Sequence, residues 1–475
     1  MKTNFFKGWS YTVFYLLLLS IQNLSAANIT LEEAVRTAYV NNPYLQSMRI
    51  NFEAVGHKKA ISRAQFLPRV DFEQKLISTD QQVAAFGINL NQGNINESDF
   101  NPDILNNPET VTDYVTTISL HQPIYNGGRE LLGLRIAESQ YTEADWQIKQ
   151  AEENIISETV TAYLDSLRSN ESYQITLDAL KTAKKNQEMI QNQYDQGLVI
   201  KSDLLQANVH VSELEEKLVI SENNRELNRV RLNVLLGNPD GNYEPLGSLD
   251  GFGCPEVTLN ELKTWALKDN PNLQIYTEQE KMSSLRLRMA QSSFYPDINM
   301  YGNYEYHGAD LFNNGSDAMT LSLSFKFNLF KGTADYNDVK LAKSQMEAIK
   351  KMREFERNRI LLSVEKAYSN LHSAKQRLNS TEFAVTQALE SLRIIEQRYQ
   401  AGATGIVDLL RAELALSNAK FNRLNANYDL LLGHTSICHA VGHLTTRWLN
   451  PDQCPVPDLV SEKQLHQMLE KGRTE

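Results

Sequence analysis

A short motif occurs twice in the sequence, and each copy has one tyrosine and one aspartate at the same spacing. The first copy, YDQGLVIKSDLLQA, begins at Tyr194, and the second, YQAGATGIVDLLRA, begins at Tyr399. In each copy a glycine falls where a helix would end in a left-handed residue, and an aspartate falls where the next helix would be capped or would just have begun. A carboxylate there can cap a helix, or it can create a negative potential that attracts cations.

The motif glycines are Gly197 and Gly402, and the motif aspartates are Asp203 and Asp408. Both pairs are separated by the same offset (402 − 197 = 408 − 203 = 205). Each copy lies between two long stretches of helical pattern, so both are predicted to be turns between helices, which we call the tip turns. They are expected at about 195–202 and about 400–407. A turn that recurs at a fixed offset indicates a tandem duplication.

The duplication extends over most of the chain. ITLEEAVRTAYVNNPYL, which begins at Ile29, matches VTLNELKTWALKDNPNL, which begins at Val257, at an offset of 228 (257 − 29). The offset then falls by 23 residues (228 − 205), so the first repeat has a longer loop between Pro68 and Gly127. The predicted segments are a first repeat over 28–237, an equatorial linker over 238–256, a second repeat over 257–442 and an equatorial C-terminal tail over 443–475.

Alternating segments in each repeat predict strand hairpins, at about 67–126 and about 296–331. In LSLSFKFNLF, from Leu321, apolar residues alternate with Ser, Lys and Asn, as in a sheet with one apolar and one polar face. The segments Ser78–Asp113 and His307–Ala318 are predicted to be exposed loops. Strands of about ten residues can cross a bilayer when tilted, but open sheet edges cannot lie in lipid. Either other subunits complete a barrel, or the hairpins form a sheet over a soluble core.

Long helices account for most of the remaining sequence. From Arg129 to about Tyr194 there is no proline and one glycine, and apolar residues follow a three-four spacing. About 65 residues at 1.5 Å each give roughly 100 Å of helix. The equivalent run in the second repeat extends from Ala334 to Tyr399. The apolar stripe continues along the helix in a shifted phase, which predicts that each helix has neighbours on both sides, as in a tube. A plain periplasmic coiled coil is the alternative.

The N-terminal sequence predicts that the mature chain works outside the cytoplasm. Residues 1–27 have the pattern of a secretory signal peptide, with Lys2 and Lys7 before an apolar run and a small-residue cleavage site; a retained amphipathic anchor is the alternative. The net charge of −11 argues against nucleic acid as a partner. Three cysteines are too few for a disulfide scaffold, and Cys254 and Cys454 form either a disulfide or two free thiols.

Residues suited to catalysis or metal binding are sparse. The sequence contains no evident glycine-rich phosphate loop, nucleophile elbow or paired-acid pocket, so neither an enzyme nor a cofactor is predicted. His439 and His443 lie one helical turn apart, as metal ligands could. Because the nearby His434 and Cys438 point elsewhere on the same helix, a solvated or packed helix face is the better interpretation.

Through these duplicated motifs the chain resembles the TolC-type outer-membrane efflux proteins, and the resemblance covers nearly the whole mature chain. The shared motifs are the paired NPYL and NPNL, the FLP and FYP helix-to-strand junctions, QPIYNGG, and the twin Y-x-x-G…D-L-L-x-A turns. The resemblance implies a mainly α fold with a membrane β-barrel contribution: long antiparallel helical hairpins form a periplasmic tunnel, and four strands per subunit complete a twelve-stranded barrel in a homotrimer. It also implies a periplasmic adaptor, an inner-membrane transporter and outer-membrane lipid as partners.

The function implied by the resemblance is an exit duct in the outer membrane of a Gram-negative cell, extending into the periplasm. Such a duct serves small-molecule efflux or type I protein secretion and is gated at its periplasmic tip. A non-conducting structural or adhesive rod, anchored in the outer membrane, is the alternative. The tip turns with Gly197 and Gly402 are implied to dock the adaptor.

The family's gate residues map onto the tip turns. The pore aspartate falls on Asp408. The closing contacts fall on Tyr399, with Asp203 as its partner, and on Ser202, at the position of a threonine that partners a basic residue. Thr404 and Arg411 depart from the best-known member, which has a basic residue and a second pore aspartate at these positions. One acidic ring and weaker closing bonds are therefore expected. Helix capping without a pore role is the alternative for both motif aspartates, and the two roles are compatible.

Overall fold

A computed structural model describes residues 27–249, 257–311 and 313–445 of the 475-residue chain. Residues 1–26 of the expected signal peptide, Cys254, Cys454 and the tail after residue 445 lie outside the described residues. The described chain is mainly helical. Its α-helices are α1 Leu31–Asn41, α2 Pro43–Ala64, α3 Gln82–Asn91, α4 Pro102–Asn106, α5 Arg129–Asp195, α6 Lys201–Leu235, α7 Leu259–Asp269, α8 Pro271–Gln291, α9 Ala334–Gln400 and α10 Ile406–Val441.

The chain divides into two compact units. The first consists of the described parts of 1–50, 146–273 and 356–475, and the second consists of 51–145 and the described parts of 274–355. The strands are β1 Ala27–Ile29, β2 Arg69–Thr79, β3 Val111–Asn126, β4 Tyr243–Pro245, β5 Asp297–Asp310 and β6 Asn313–Lys326. The strands β2, β3, β5 and β6 form one antiparallel sheet in that order, which lies in the second unit.

The strand register gives this sheet one apolar and one polar face. The row Phe72, Ile118, Tyr304 and Met319 crosses all four strands, and all four side chains are exposed. The adjacent row belongs to the opposite face, because side chains alternate along a strand. Its members are Glu73, Thr117, Glu305 and Ala318. On the apolar face, a polar row made of Gln74, Thr116, Tyr306 and Asp317 follows, and the exposed Leu76 lies beyond it.

The two predicted loops differ from the structure. The segment His307–Ala318 is not a loop, because β5 continues to Asp310 and β6 begins at Asn313. Pairing of His307 with Ser316 on one side and with Val115 on the other overrides the turn preference of a segment rich in Gly, Asn and Asp.

The segment predicted as the first loop is partly helical and folds against the sheet. It contains α3 and α4, and Ala85 and Ile88 of α3 are buried. Gln92 follows α3 and donates hydrogen bonds to the backbone oxygen of Thr112 at 2.9 Å and to Oδ1 of Asp113 at 3.0 Å. The other carboxylate oxygen of Asp113 lies 2.7 Å from Nδ1 of His307.

The repeated Asn-Pro pairs join helices in the first unit. The Asn42 side chain, between α1 and α2, donates to the backbone oxygen of Leu235 near the end of α6, at 3.1 Å. At the equivalent place in the second repeat, Asn270 donates to the backbone oxygen of Ala440 near the end of α10, at 2.9 Å. Both bonds satisfy carbonyl groups that a helix end leaves without an intrahelical donor. The duplicated motif is therefore explained by packing between helices.

The segment after α10 is held by a buried carboxylate on α5. The oxygens of Glu153 accept hydrogen bonds from the backbone amides of Leu444 and Thr445, at 2.8 and 2.7 Å. Burial raises the pKa of Glu153 from 4.5 to about 7, because desolvation of the carboxylate outweighs the opposing effect of these hydrogen bonds; the charge of Glu152 raises it further.

We expect this raised pKa to make stability depend on pH. The folded state binds a proton at Glu153 more tightly than the unfolded state does, so its contribution to the free energy of unfolding is full below pH 4.5 and falls by up to about 3 kcal/mol as the pH rises through 7. Denaturant unfolding followed by circular dichroism between pH 4.5 and 8 should show this slope in the wild type and lose it in Glu153→Gln. Glu158→Gln, at an exposed position of α5, is the control. Parallel profiles for wild type and Glu153→Gln would contradict the assignment.

Candidate functional site

The two tip turns have the same backbone hydrogen bonds. Gly197 follows α5 with φ of 73° and donates to the backbone oxygen of Tyr194 at 2.9 Å, while Leu198 donates to Gln193 at 2.8 Å. In the second turn Gly402 has φ of 68°, and the equivalent bonds, Gly402 to Tyr399 and Ala403 to Arg398, are 3.0 and 2.8 Å long. This paired arrangement is the Schellman motif, which places a left-handed residue after the helix end. The glycines have the conformation that the sequence predicts.

The motif aspartates lie in the first turn of the helices that follow. Asp203 and Asp408 are the third residues of α6 and α10, after Ile200 and Gly405, which precede the helices without a side-chain cap. A carboxylate here is stabilised by the helix dipole by about 0.3–1 kcal/mol. Asp408 Oδ2 accepts a hydrogen bond from the hydroxyl of Thr404 at 2.6 Å. The carboxylates thus support their helices and are available for a second role.

Tyr399 lies in the packing between the two hairpins. It is 8% exposed, and its hydroxyl donates to Oε1 of Gln193 on α5 at 3.3 Å. The resemblance implies Asp203 as the partner of Tyr399 in the closed gate; in the single chain described here α5 packs against α9, and Gln193 accepts the hydrogen bond. Burial and, secondarily, the charge of Asp203 raise the pKa of Tyr399. The Ser202 hydroxyl donates a hydrogen bond to Asp203 Oδ1, at 3.5 Å.

Helices α5, α6, α9 and α10 share one apolar cluster beside the turns, which we call the tip cluster. Its buried members are Ile190, Leu204, Ala207, Leu392, Tyr399, Ile406, Leu409, Ala412 and Leu416. Full burial of one leucine or isoleucine side chain contributes about 1.5–3 kcal/mol. Any movement that separates the two hairpins must expose part of this cluster.

Sequence reasoning missed a polar group next to this cluster. Glu413 of α10 is buried and contacts Asn186 of α5 and His210 of α6. Arg411, two positions earlier, lines the same groove of about 790 Å³ as Glu413 and His210. The available signal is a difference between the repeats, since the position equivalent to Glu413 is the uncharged Asn208 (413 − 205 = 208).

The histidines near the end of α10 have separate protein partners. His439 Nε2 lies 3.0 Å from Asn154 Oδ1, and His443 Nε2 lies 3.1 Å from Asp269 Oδ2. Burial lowers the pKa of His439. Cys438 is buried, with its sulfur 4.0 Å from Nδ1 of His434. Among residues 27–249, 257–311 and 313–445, no group of three or more His, Cys, Asp or Glu residues has a geometry that could hold a metal ion.

Among the residues that the structure describes, no helix combines the length and the apolar character that crossing a membrane requires.

Comparison with known proteins gives consistent matches. The family profile described as outer membrane efflux protein matches residues 34–238 and 264–443. Outer membrane protein TolC of Escherichia coli (strain K12) is 23% identical over 453 residues, covering 90% of this chain and 85% of that protein. The alkaline protease secretion protein AprF of Pseudomonas aeruginosa is 20% identical over 431 residues, covering 89% and 85%. The CmeC outer membrane channel of Campylobacter jejuni has a similar fold, with a TM-score of 0.76 at 18% identity over 93% of this chain and 88% of that chain.

Proposed function

The chain belongs to the outer membrane efflux protein family, and from that premise we propose how its sheet and tip turns serve an outer-membrane exit duct. The protein is located in the outer membrane of a Gram-negative cell, and it is the exit duct of an efflux or type I secretion system. The observation that carries the proposal is the four-stranded sheet with one exposed apolar face and one polar face.

Three copies of the sheet close one twelve-stranded barrel. In the described chain β2 and β6 are the edge strands, and lipid cannot satisfy the backbone groups of an open edge. Pairing of β2 in one copy with β6 in the next removes every edge. The apolar rows then face lipid, and the polar rows line a water-filled lumen.

The gate of this duct lies at the tip turns. In a trimer three copies of Asp408 approach one axis, where they repel one another and attract cations. Thr404 holds each Asp408 by the 2.6 Å hydrogen bond, and Tyr399 anchors the second hairpin to the first through Gln193. Asp203 and Ser202 lie at the equivalent turn of the first repeat. Arg411, on the helix that carries Asp408, offsets part of the acidic charge.

The partners of the duct are a periplasmic adaptor and an inner-membrane transporter. The tip turns with Gly197 and Gly402 are the docking surface, because a Cβ atom built on either glycine would meet no atom within 4 Å, which leaves room for a close backbone approach. An adaptor that binds the open tips better than the closed tips shifts the equilibrium toward the open state.

Single-channel conductance in a planar bilayer tests the duct and its gate together. We expect the detergent-purified wild type to give a small, steady conductance. Asp408→Ala should change the conductance and weaken cation preference, because the carboxylate ring is removed. Thr404→Val is the matched control, because it removes the hydrogen bond to Asp408 and keeps the charge.

Two outcomes would count against the proposal. Verified insertion without any conductance, in the wild type and in Asp408→Ala, would favour a non-conducting structural or adhesive rod. Identical conductance in the wild type and in Asp408→Ala would support the duct but would show that Asp408 is not part of the gate.

A further inference from the structure

Glu413 is a buried carboxylate that connects the second helical hairpin to both helices of the first. Its side chain, on α10, is 9% exposed. Oε1 accepts a hydrogen bond from the side-chain amide of Asn186 on α5. Oε2 lies 3.3 Å from Nε2 of His210 on α6, whose side chain is 16% exposed. One carboxylate thus holds three helices together.

The carboxylate lies beside two apolar clusters. Ala412 and Leu416, its neighbours on α10, belong to the tip cluster, while Val211 and Leu214 of α6 belong to a second small cluster. Because the carboxylate is largely buried, the loss of one of its polar partners is costly.

The contact exists in only one of the two repeats. Asn208, the equivalent of Glu413, accepts a hydrogen bond at 2.8 Å from Gln187, which belongs to the same hairpin. The first repeat therefore uses this position within its own hairpin, and the second repeat uses it to reach across. If this position served general stability alone, the two repeats would be expected to use it in the same way.

We propose that Glu413, with His210 and Asn186, forms a latch that holds the two hairpins together beside the tip turns and favours the closed duct. The inference rests on the gating function proposed above. Opening separates the hairpins, so the latch must break in each subunit. Glu413 is a positioning residue in this proposal, because it acts on the tip turns through helix packing.

His210 and Glu413 also line a groove of about 790 Å³ that contains other charged groups. These groups are Asp178 on α5, Glu213 and Lys217 on α6, and Arg411 and Lys420 on α10; the groove residue from α9 is the apolar Leu392. Substitution of His210 separates its effect from that of these groups.

The test is the open probability of purified channels in a planar bilayer at neutral pH. Glu413→Ala should raise the open probability on the order of tenfold, because each of the three subunits loses a buried carboxylate that contacts both helices of the first hairpin. Glu413→Gln and His210→Gln should give smaller increases. Asn208→Ala is the matched control and should stay within about twofold of the wild type.

Further measurements separate the possible failures. Thermal unfolding by circular dichroism checks that Glu413→Ala is folded; if it is not, the isosteric Glu413→Gln carries the test. If Tyr399→Phe raises the open probability while the Glu413 and His210 variants behave like the wild type, the latch is wrong and the proposed duct stands. If Asn208→Ala opens the channel as much as Glu413→Ala, the effect is general destabilisation and the latch is also wrong. If neither the wild type nor any variant conducts, the proposed function itself fails.

Discussion

Leu323→Lys should prevent stable insertion in the outer membrane, whereas Ser322→Lys should leave insertion intact. Leu323 lies on the apolar face of β6, between Leu321 and Phe325, and is 71% exposed in the single chain. In the proposed trimeric barrel this face contacts lipid, and a lysine there near the bilayer midplane costs about 2–4 kcal/mol, or about 6–12 kcal/mol for three copies. Ser322 is the next residue and belongs to the opposite face, where a lysine would be solvated by water in the proposed lumen.

The two variants differ in the face of the sheet and in little else. The measurement is the fraction of protein recovered in outer-membrane vesicles and the fraction that remains trimeric in mild detergent. If both variants insert equally well, the apolar face does not contact lipid, and the sheet would be the cover of a soluble core. If Ser322→Lys alone fails, the assignment of the two faces is reversed.

Gly237→Ala should destabilise the fold far more than Gly197→Ala. Both glycines follow a helix with positive φ, 76° and 73° respectively. A side chain in this conformation costs about 1–2 kcal/mol, which both variants share. A Cβ atom on Gly237 would also lie 2.5 Å from the backbone oxygen of Asn41, beside the Asn42 hydrogen bond, whereas one on Gly197 would meet no atom within 4 Å. We therefore expect about 2–5 kcal/mol for Gly237→Ala.

Unfolding in denaturant, followed by circular dichroism, measures this difference. Gly442→Ala provides an independent check in the second repeat, since its Cβ atom would lie 2.7 Å from Cδ of Pro271. Equal losses of stability at Gly237 and Gly197 would mean that the close approach between the end of α6 and the Asn-Pro turn relaxes without cost.

The elements that the sequence predicts well are those whose causes are local. A glycine three positions after a tyrosine at a helix end adopts positive φ because it lacks a Cβ atom, and this holds at Gly197 and Gly402. The faces of the sheet follow from period-two alternation. The prediction of a loop at His307–Ala318 was wrong because the cause was not local: pairing with neighbouring strands outweighed the local preference for turns.

Contacts between distant residues needed the tertiary structure. Asn42 reaches Leu235 across 193 positions, and Asn186 reaches Glu413 across 227. No periodicity in the chain specifies which side chains meet at such separations, because that depends on how the helices are rotated and in what register they pack. The duplication, the tip turns, the amphipathic strands and the family resemblance were therefore accessible from the sequence by itself. Only the packing of the helices decided three other features. These are the hydrogen-bond partner of Tyr399, the contacts made by the Asn-Pro pairs, and the link through Glu413.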